Sequence, residues 1–279
     1  MEIILGILTP LAVLGGFVFC EWLWPRRVLQ TPRLRRWPNN IGITLANKIM
    51  FRFLLPVSLP GTALWMSAEG WGLINWLNCP LWLSYLLTFV VLDFVYYLYH
   101  YATHHVPLLW RMHRMHHSDT DFDVTTAIRT HPFDLALGVV PQLLAVVLCG
   151  MPAEAILGFQ AYSGLVGKFC HSNIRIPSRV DAVLRWLIVT PDLHRVHHSA
   201  WHVETDSNFS AVFPWWDRMF GTYRAQPVAG HEAMIIGIET YRTPFDQRLD
   251  RMLMLPFLPV LPIPSGWRTP TQTVAEPPR

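Results

Sequence analysis

The chain has 279 residues, of which 52% are hydrophobic and 15% charged, against roughly 25% charged in an ordinary soluble domain. That balance argues against a soluble single-domain enzyme and against disordered, collagenous or disulfide-scaffold classes. The formal charge of +3 is too small to indicate a nucleic-acid partner, and Cys20, Cys79, Cys149 and Cys170 lie unpaired in or beside apolar segments, where they read as small core residues.

Residues 3–20 carry no charge and are just long enough to cross a bilayer. With Glu2 and no Lys or Arg ahead of them, and the bulky Val18-Phe19-Cys20 in place of a cleavage site, they read as a retained helix rather than a signal peptide. The next stretch holds Arg26, Arg27, Arg33, Arg35 and Arg36 among tryptophans and reads as a cytoplasmic interfacial loop over 21–40. A second apolar stretch, 41–66, has Lys48 and Arg52 near its start, and Pro56 and Pro60 are expected to kink it. The third, 80–99, contains one charge, Asp93.

Two further apolar segments, 133–149 and 153–169, are separated only by Gly150-Met151-Pro152 and predict a tight helical hairpin. With the 21–40 loop inside, the segments left outside (the N-terminus, 67–79 and 150–152) hold none of the 22 Lys and Arg residues. This is the asymmetry expected of the positive-inside rule. The expected architecture is therefore an all-α integral membrane bundle, about three spanning helices plus the hairpin, under a cytosolic His-rich helical cap formed by 100–132 and 170–279. Pro256, Pro259, Pro262, Pro264 and the TPTQTVAEPPR tail predict an irregular end, disordered past about residue 265.

Twelve of the thirteen histidines fall between residues 100 and 202. His100 and His104, at i,i+4, share one helix face at the cytoplasmic end of the third apolar segment. His113-Arg114-Met115-His116-His117-Ser118 recurs 81 residues later as His194-Arg195-Val196-His197-His198-Ser199. On a helix, positions i, i+3 and i+4 converge, so each box is expected to aim three nitrogens at a single point. Eight imidazoles exceed the needs of one ion and suit two, each with an open position. His171 is favoured as a ninth ligand, and His131 is left open between a ligand and a neighbour of ligands. His105, His202 and His231 read as ordinary structural histidines. His231-Glu232 does not complete a zinc-protease helix, because Ile235 stands where the second histidine is needed. Asp93 lies two turns before His100 on the same face and is a candidate to orient an imidazole, with a contact inside the helix bundle as the alternative.

The order His-x3-His, His-x2-His-His, membrane hairpin, His-x2-His-His resembles the fatty acid hydroxylase superfamily, also called the sterol desaturase family, over about residues 80–225. ThrHisProPheAsp at 130–134, PheCysHisSerAsnIle at 169–174 and TrpAspArgMetPheGlyThrTyr at 216–223 agree with it. Asn208-Phe209-Ser210 departs from the usual Asn-Phe-Gly, and Asp134 stands where many bacterial relatives have Glu. The resemblance implies an integral membrane non-haem di-iron oxygenase that uses O2 on a C–H bond of a fatty acyl, sterol or isoprenoid lipid. Desaturation and ether-lipid cleavage are the alternative outcomes.

On this resemblance His100, His104, His113, His116, His117, His171, His194, His197 and His198 bind two Fe ions, and Asp93, His131, Asn173 and Asn208 support them. Arg114 and Arg195, beside the ligands, are expected in surface ion pairs, with pairing to carboxylates or headgroups near the site as the alternative, and Trp201, Trp215 and Trp216 at the membrane interface. Electrons are expected from a separate ferredoxin or cytochrome with its reductase, and the site faces the cytoplasm, in a bacterial inner membrane. Residues 1–79 form the N-terminal membrane helices and Arg-rich loop, 80–225 the catalytic domain and 226–279 an extension. A membrane metal transporter or sensor is the competing class; it predicts ligands strung along a span, whereas here only Asp93 lies well inside one.

Overall fold

The computed structural model describes residues 2–53 and 58–263, with side chains from residue 8 onward. Its elements are α1 (Glu2–Leu23), α2 (Arg33–Phe53), α3 (Leu59–Ala68), α4 (Leu73–Trp76), α5 (Leu81–His105), α6 (Pro107–His117), α7 (Pro132–Cys149), α8 (Ala153–Cys170), α9 (Ser178–Leu184), α10 (Pro191–His197), α11 (His202–Thr205), α12 (Trp215–Phe220), α13 (Gly230–Ala233) and α14 (Leu249–Met254). A 3-10 turn at Val124–Ile128 precedes α7, and another at Leu255–Phe257 follows α14. Among the described residues there is no strand, only the isolated bridges Pro25↔Ile174 and Ser199↔Ile236.

Among the described residues two helices, α5 and α7, are long and apolar enough to cross a membrane, and only 28% of the apolar window of each is buried. The core helix of a soluble protein would hide such a surface; here Leu86, Val140, Leu144 and Leu148 point outward. The hairpin forms where the sequence places it. Gly150 ends α7 at φ 67°, and Pro152 caps α8. A Cβ on Gly150 would collide with the Trp71 carbonyl, so glycine is required by contact as well as by φ. The ends of α3, α5, α7 and α8 remote from the histidines close around Ala63, Leu92, Val146, Ile156 and Phe159.

The N-terminal third departs from expectation. The 21–40 loop shrinks to a short crossing, because α2 begins at Arg33. The buried face of α2 is Arg36, Asn40, Ile43 and Asn47, a largely polar stripe at helical spacing that packs on the 119–130 segment rather than on lipid. The 41–66 stretch is therefore not one kinked span. Pro60 stands in the first turn of α3, where a missing N–H is harmless, and so it starts a helix instead of bending one. At ten residues, α3 is about 15 Å long, half a bilayer core. Pro56, Pro264 and the TPTQTVAEPPR tail lie outside the described residues. Up to residue 263 the C-terminal extension is a strap over the cap: Met252 and Leu255 share a buried cluster with Ile43 of α2 and Met115 of α6.

Candidate metal centre

Val106 and Pro107 break the chain between α5 and α6, so that α6 turns back against the end of α5. On the far side of the hairpin, Thr190 caps the N-terminus of α10 with its side chain, fixing where the second histidine box begins. These elements meet at one end of the bundle. There the nine predicted histidines form two adjacent groups, His100, His104, His113, His117 and His197 in one and His116, His171, His194 and His198 in the other. Within each group the ligating atoms lie within 4.8 Å of one another.

The boxes do not each serve one point, as the spacing suggested. The i,i+4 pair His113/His117 joins His197 of the other box, and His194/His198 joins His116. Residues i and i+4 are about 40° apart around a helix, while i+3 and i+4 are about 100° apart. When α6 and α10 face each other, each i+3 ring therefore crosses to the partner's group.

Tautomers follow from the surroundings. Nδ1–H of His100, His116, His171 and His197 donates to the carbonyls of Phe209 (2.7 Å), Arg129 (3.0 Å), Gly167 (2.7 Å) and Ser207 (2.7 Å). His113 donates to Asp134 at 2.8 Å and His104 to Asp206 at 3.2 Å. Each acceptor lacks a proton, so in these six rings the hydrogen sits on Nδ1 and the Nε2 lone pair faces inward. His100 Nε2 and His197 Nε2 are buried with no hydrogen-bond partner.

His116 Nε2 and His171 Nε2 oppose each other at 3.2 Å, lone pair against lone pair. The same close approach recurs at His104/His117 and His113/His117 (both 3.2 Å), His171/His194 (3.0 Å) and His194/His198 (3.3 Å). Two imidazole nitrogens about 2.05 Å from one ion, at 90° to 110°, stand roughly 2.9–3.4 Å apart. These spacings fit a shared cation in each group, and at His116/His171, where both lone pairs face inward, the two would repel without one. Burial, and then the neighbouring imidazoles, pushes His116, His117, His194, His197 and His198 well below the ordinary histidine pKa. They are thus neutral, the state that ligates.

Around the rings is a charged scaffold that the sequence did not reveal. Arg36 pairs with Asp119 and Asp123, both at 2.7 Å, and all three are buried. Arg129, whose carbonyl holds His116, donates to the Met115 carbonyl, Asn40, Ser118 and Gln247 at 2.8–3.1 Å. Burial alone would raise the Asp119 carboxyl; Arg36 and Arg129 outweigh it and hold the group at about 2. The Arg33/Arg35/Arg36 cluster and the alternating Asp119/Asp121/Asp123 were available as a signal, yet pairing them required knowing that α2 lies over this loop.

Several expected roles are corrected. Asp93 touches no imidazole: it accepts the N–H groups of Val212 (3.1 Å) and Phe213 (3.2 Å) and Trp216 Nε1 (2.8 Å), pinning the segment that follows Phe209. Trp216 is thus an internal peg, whereas Trp215 is 42% exposed. His131, left open above, caps α7, accepting the Phe133 N–H and contacting the Leu253 carbonyl, and belongs to neither group. Arg114 and Arg195 are buried, not on the surface. Arg114 donates to the carbonyls of Leu255, Leu258 and Pro259, and Arg195 pairs with Asp192. Asn173, two residues after His171, brackets Arg27 with both ends of its amide. Asn208, at φ 55°, bonds Leu193 and Arg224 and holds the turn that presents the Ser207 and Phe209 carbonyls to His197 and His100. Asp217 accepts the Phe209 and Ser210 N–H groups from beneath. His105, His202 and His231 lie outside both groups, bonded to Tyr101, Glu239 and Gln226.

A cavity of about 390 Å³ opens onto the centre from between α5, α7 and α8. Imidazoles of both groups line it, His100 and His113 from one and His116, His171 and His194 from the other.

An all-helical, membrane-associated chain with two adjacent imidazole groups suited to metal is the class that fold and site define. The family comparison makes it specific. Residues 85–222 form a fatty acid hydroxylase domain, and the curated relatives of the chain lie in the same superfamily. It is similar to alkylglycerol monooxygenase of Xenopus tropicalis, 27% identical over 216 residues, 73% of this chain and 43% of that protein. Ornithine lipid hydroxylase OlsE of Rhizobium tropici is 30% identical over 152 residues, 53% of this chain and 44% of its own. Very-long-chain aldehyde decarbonylase GL1-4 of Oryza sativa subsp. japonica is 28% identical over 156 residues, 53% of this chain and 24% of its own. The chain spans less than half the length of these curated relatives. No solved structure matches.

Proposed function

We propose that this chain is a membrane-bound, O2-dependent di-iron oxygenase that hydroxylates a C–H bond of a lipid. The observation that carries it is the pair of inward-facing imidazole groups, five and four strong, lining a cavity between α5, α7 and α8, the first two of which are long and apolar enough to cross a membrane. In this reading all nine histidines are ligands. When bound, the iron pair supplies the redox chemistry that activates dioxygen. The chain's own part is to fix nine Nε2 or Nδ1 donors, hold them neutral, keep water from the reacting carbon and admit a hydrocarbon from the side. One oxygen atom enters the lipid and the other leaves as water, so electrons are needed; we assign them to a separate ferredoxin or cytochrome with its reductase. α1, α5 and the α7/α8 hairpin enter the bilayer, and the cap faces the cytoplasm of a bacterial inner membrane.

Ether-lipid monooxygenation is a second reading, favoured by the similarity to alkylglycerol monooxygenase over 73% of the chain. Labelled dioxygen with a reconstituted electron donor tests both. Hydroxylation leaves one labelled atom in an intact lipid, ether cleavage yields a labelled aldehyde and a free alcohol, and an unlabelled alkene signals desaturation. No oxidised lipid in an iron-loaded, reduced preparation contradicts the proposal.

A further inference from the structure

The cavity is not uniformly apolar. Gln142 from α7, and Gln160, Ser163 and Lys168 from α8, line it within helices whose other faces are built of Leu, Val and Phe. Lys168 is one of only two lysines in the chain. Its ammonium is half-buried and donates to the Gly164 carbonyl one turn back at 3.0 Å. The carboxylate that shares the cavity, Asp134, has both oxygens engaged, by His113 and Tyr99. No ion pair to Lys168 occurs among the described residues. A cation in a low-dielectric cavity without a counter-ion is costly to retain unless something else pairs with it.

Position says what that partner does. The Lys168 ammonium folds back to the Gly164 carbonyl and the His171 ring to the Gly167 carbonyl, three residues or about 4.5 Å further along the helix axis. Gly164 and Gly167 leave that wall open: a Cβ on Gly167 would meet nothing within 4 Å. Gln160 at the deep end is exposed, so the cavity reaches the lipid-facing surface of the bundle.

We propose that the cavity takes a lipid bearing an anionic oxygen group, phosphate or carboxylate, anchored on Lys168, with a carbon near the head of the chain held against the histidines. The site of oxidation rests on the oxygenase reading above; the anion site does not.

The test uses the full chain in nanodiscs. Oleate and dioleoyl phosphatidate are compared with oleyl alcohol and dioleoylglycerol, their neutral counterparts, by competition against a fluorescent acyl probe. Because a charge-assisted contact is stronger than a neutral one, at least one anionic lipid should bind about tenfold or more tightly than its neutral counterpart. Which of the two does so separates carboxylate from phosphate. Lys168→Met should erase the preference and Lys168→Arg should keep it. Equal binding of charged and neutral lipids by the wild type, or an undiminished preference in Lys168→Met, overturns the proposal. Iron content and labelled product, measured on the same samples, report separately on the oxygenase reading. Lysine-dependent anion preference without oxidation would leave the site standing and the chemistry fallen.

Discussion

Replacing Asp134 by Asn tests how the protein holds an imidazole in its ligating tautomer. One Asp134 oxygen accepts Nδ1–H of His113 at 2.8 Å, and the other accepts the Tyr99 hydroxyl at 2.8 Å. Asparagine keeps the shape and one acceptor but loses the charge and turns an NH2 toward one of the two partners. Tyr99 can absorb that change, because its hydroxyl also reaches the Asp134 carbonyl at 2.8 Å, so the fold should survive. Loss of an outer partner of a ligating histidine weakens metal affinity by about 10- to 100-fold, or about 1.4–2.7 kcal/mol. The loss should be confined to the five-histidine group containing His113, leaving the four-histidine group loaded. Iron per chain, followed against a graded chelator, should then fall from two to one in a separate early step in Asp134→Asn. Tyr99→Phe, which spares the carboxylate, should show a much smaller shift. An unchanged chelator profile in Asp134→Asn, or simultaneous loss of both irons, would refute this account of how His113 is oriented.

Other substitutions probe the crossed arrangement and its supports. His116→Ala should weaken the group containing His194 and His198, and His197→Ala the group containing His113 and His117; if each box served its own ion, site-resolved iron spectra would show the reverse assignment. Arg36→Met strands Asp119 and Asp123 in a buried site and should cost about 3–5 kcal/mol, read as a fall in Tm. The Asp119 pKa is depressed from an ordinary 3.8 to about 2 on folding. Its contribution is therefore complete above pH 3.8 and is lost as pH falls toward 2, so the Tm gap between wild type and Asp119→Asn should narrow over that window. Gly167→Leu points a side chain into open cavity and should abolish lipid oxidation with iron content unchanged; loss of iron as well would mean that the cavity wall also shapes the centre.

What the sequence made legible was local. The i,i+4 pairs, the hairpin punctuated by Gly150 and Pro152, and the grouping of histidines at one end of it all follow from helical periodicity and turn chemistry. His171 is favoured by its place at the end of the hairpin, where the chain returns to the other histidines. What stayed hidden depends on elements meeting in space. The crossing of His116 and His197 between groups is set by how α6 faces α10, and the acceptors that fix each tautomer are mostly backbone carbonyls, which no residue type announces. The arginines misled for a related reason. Arg36 looks like an interfacial charge in a membrane chain, yet it is 2% exposed and braces the cap. Asp93 sat at the right helical phase to serve His100, but the neighbouring backbone of Val212 and Phe213 claimed it first.

The most direct test of the two-ion centre is iron X-ray absorption on the purified chain, combined with metal quantitation. The account predicts two irons per chain, ringed by nitrogen and oxygen neighbours at about 2.0–2.2 Å with no sulfur. A single metal per chain, or a sulfur shell at about 2.3 Å, would contradict it.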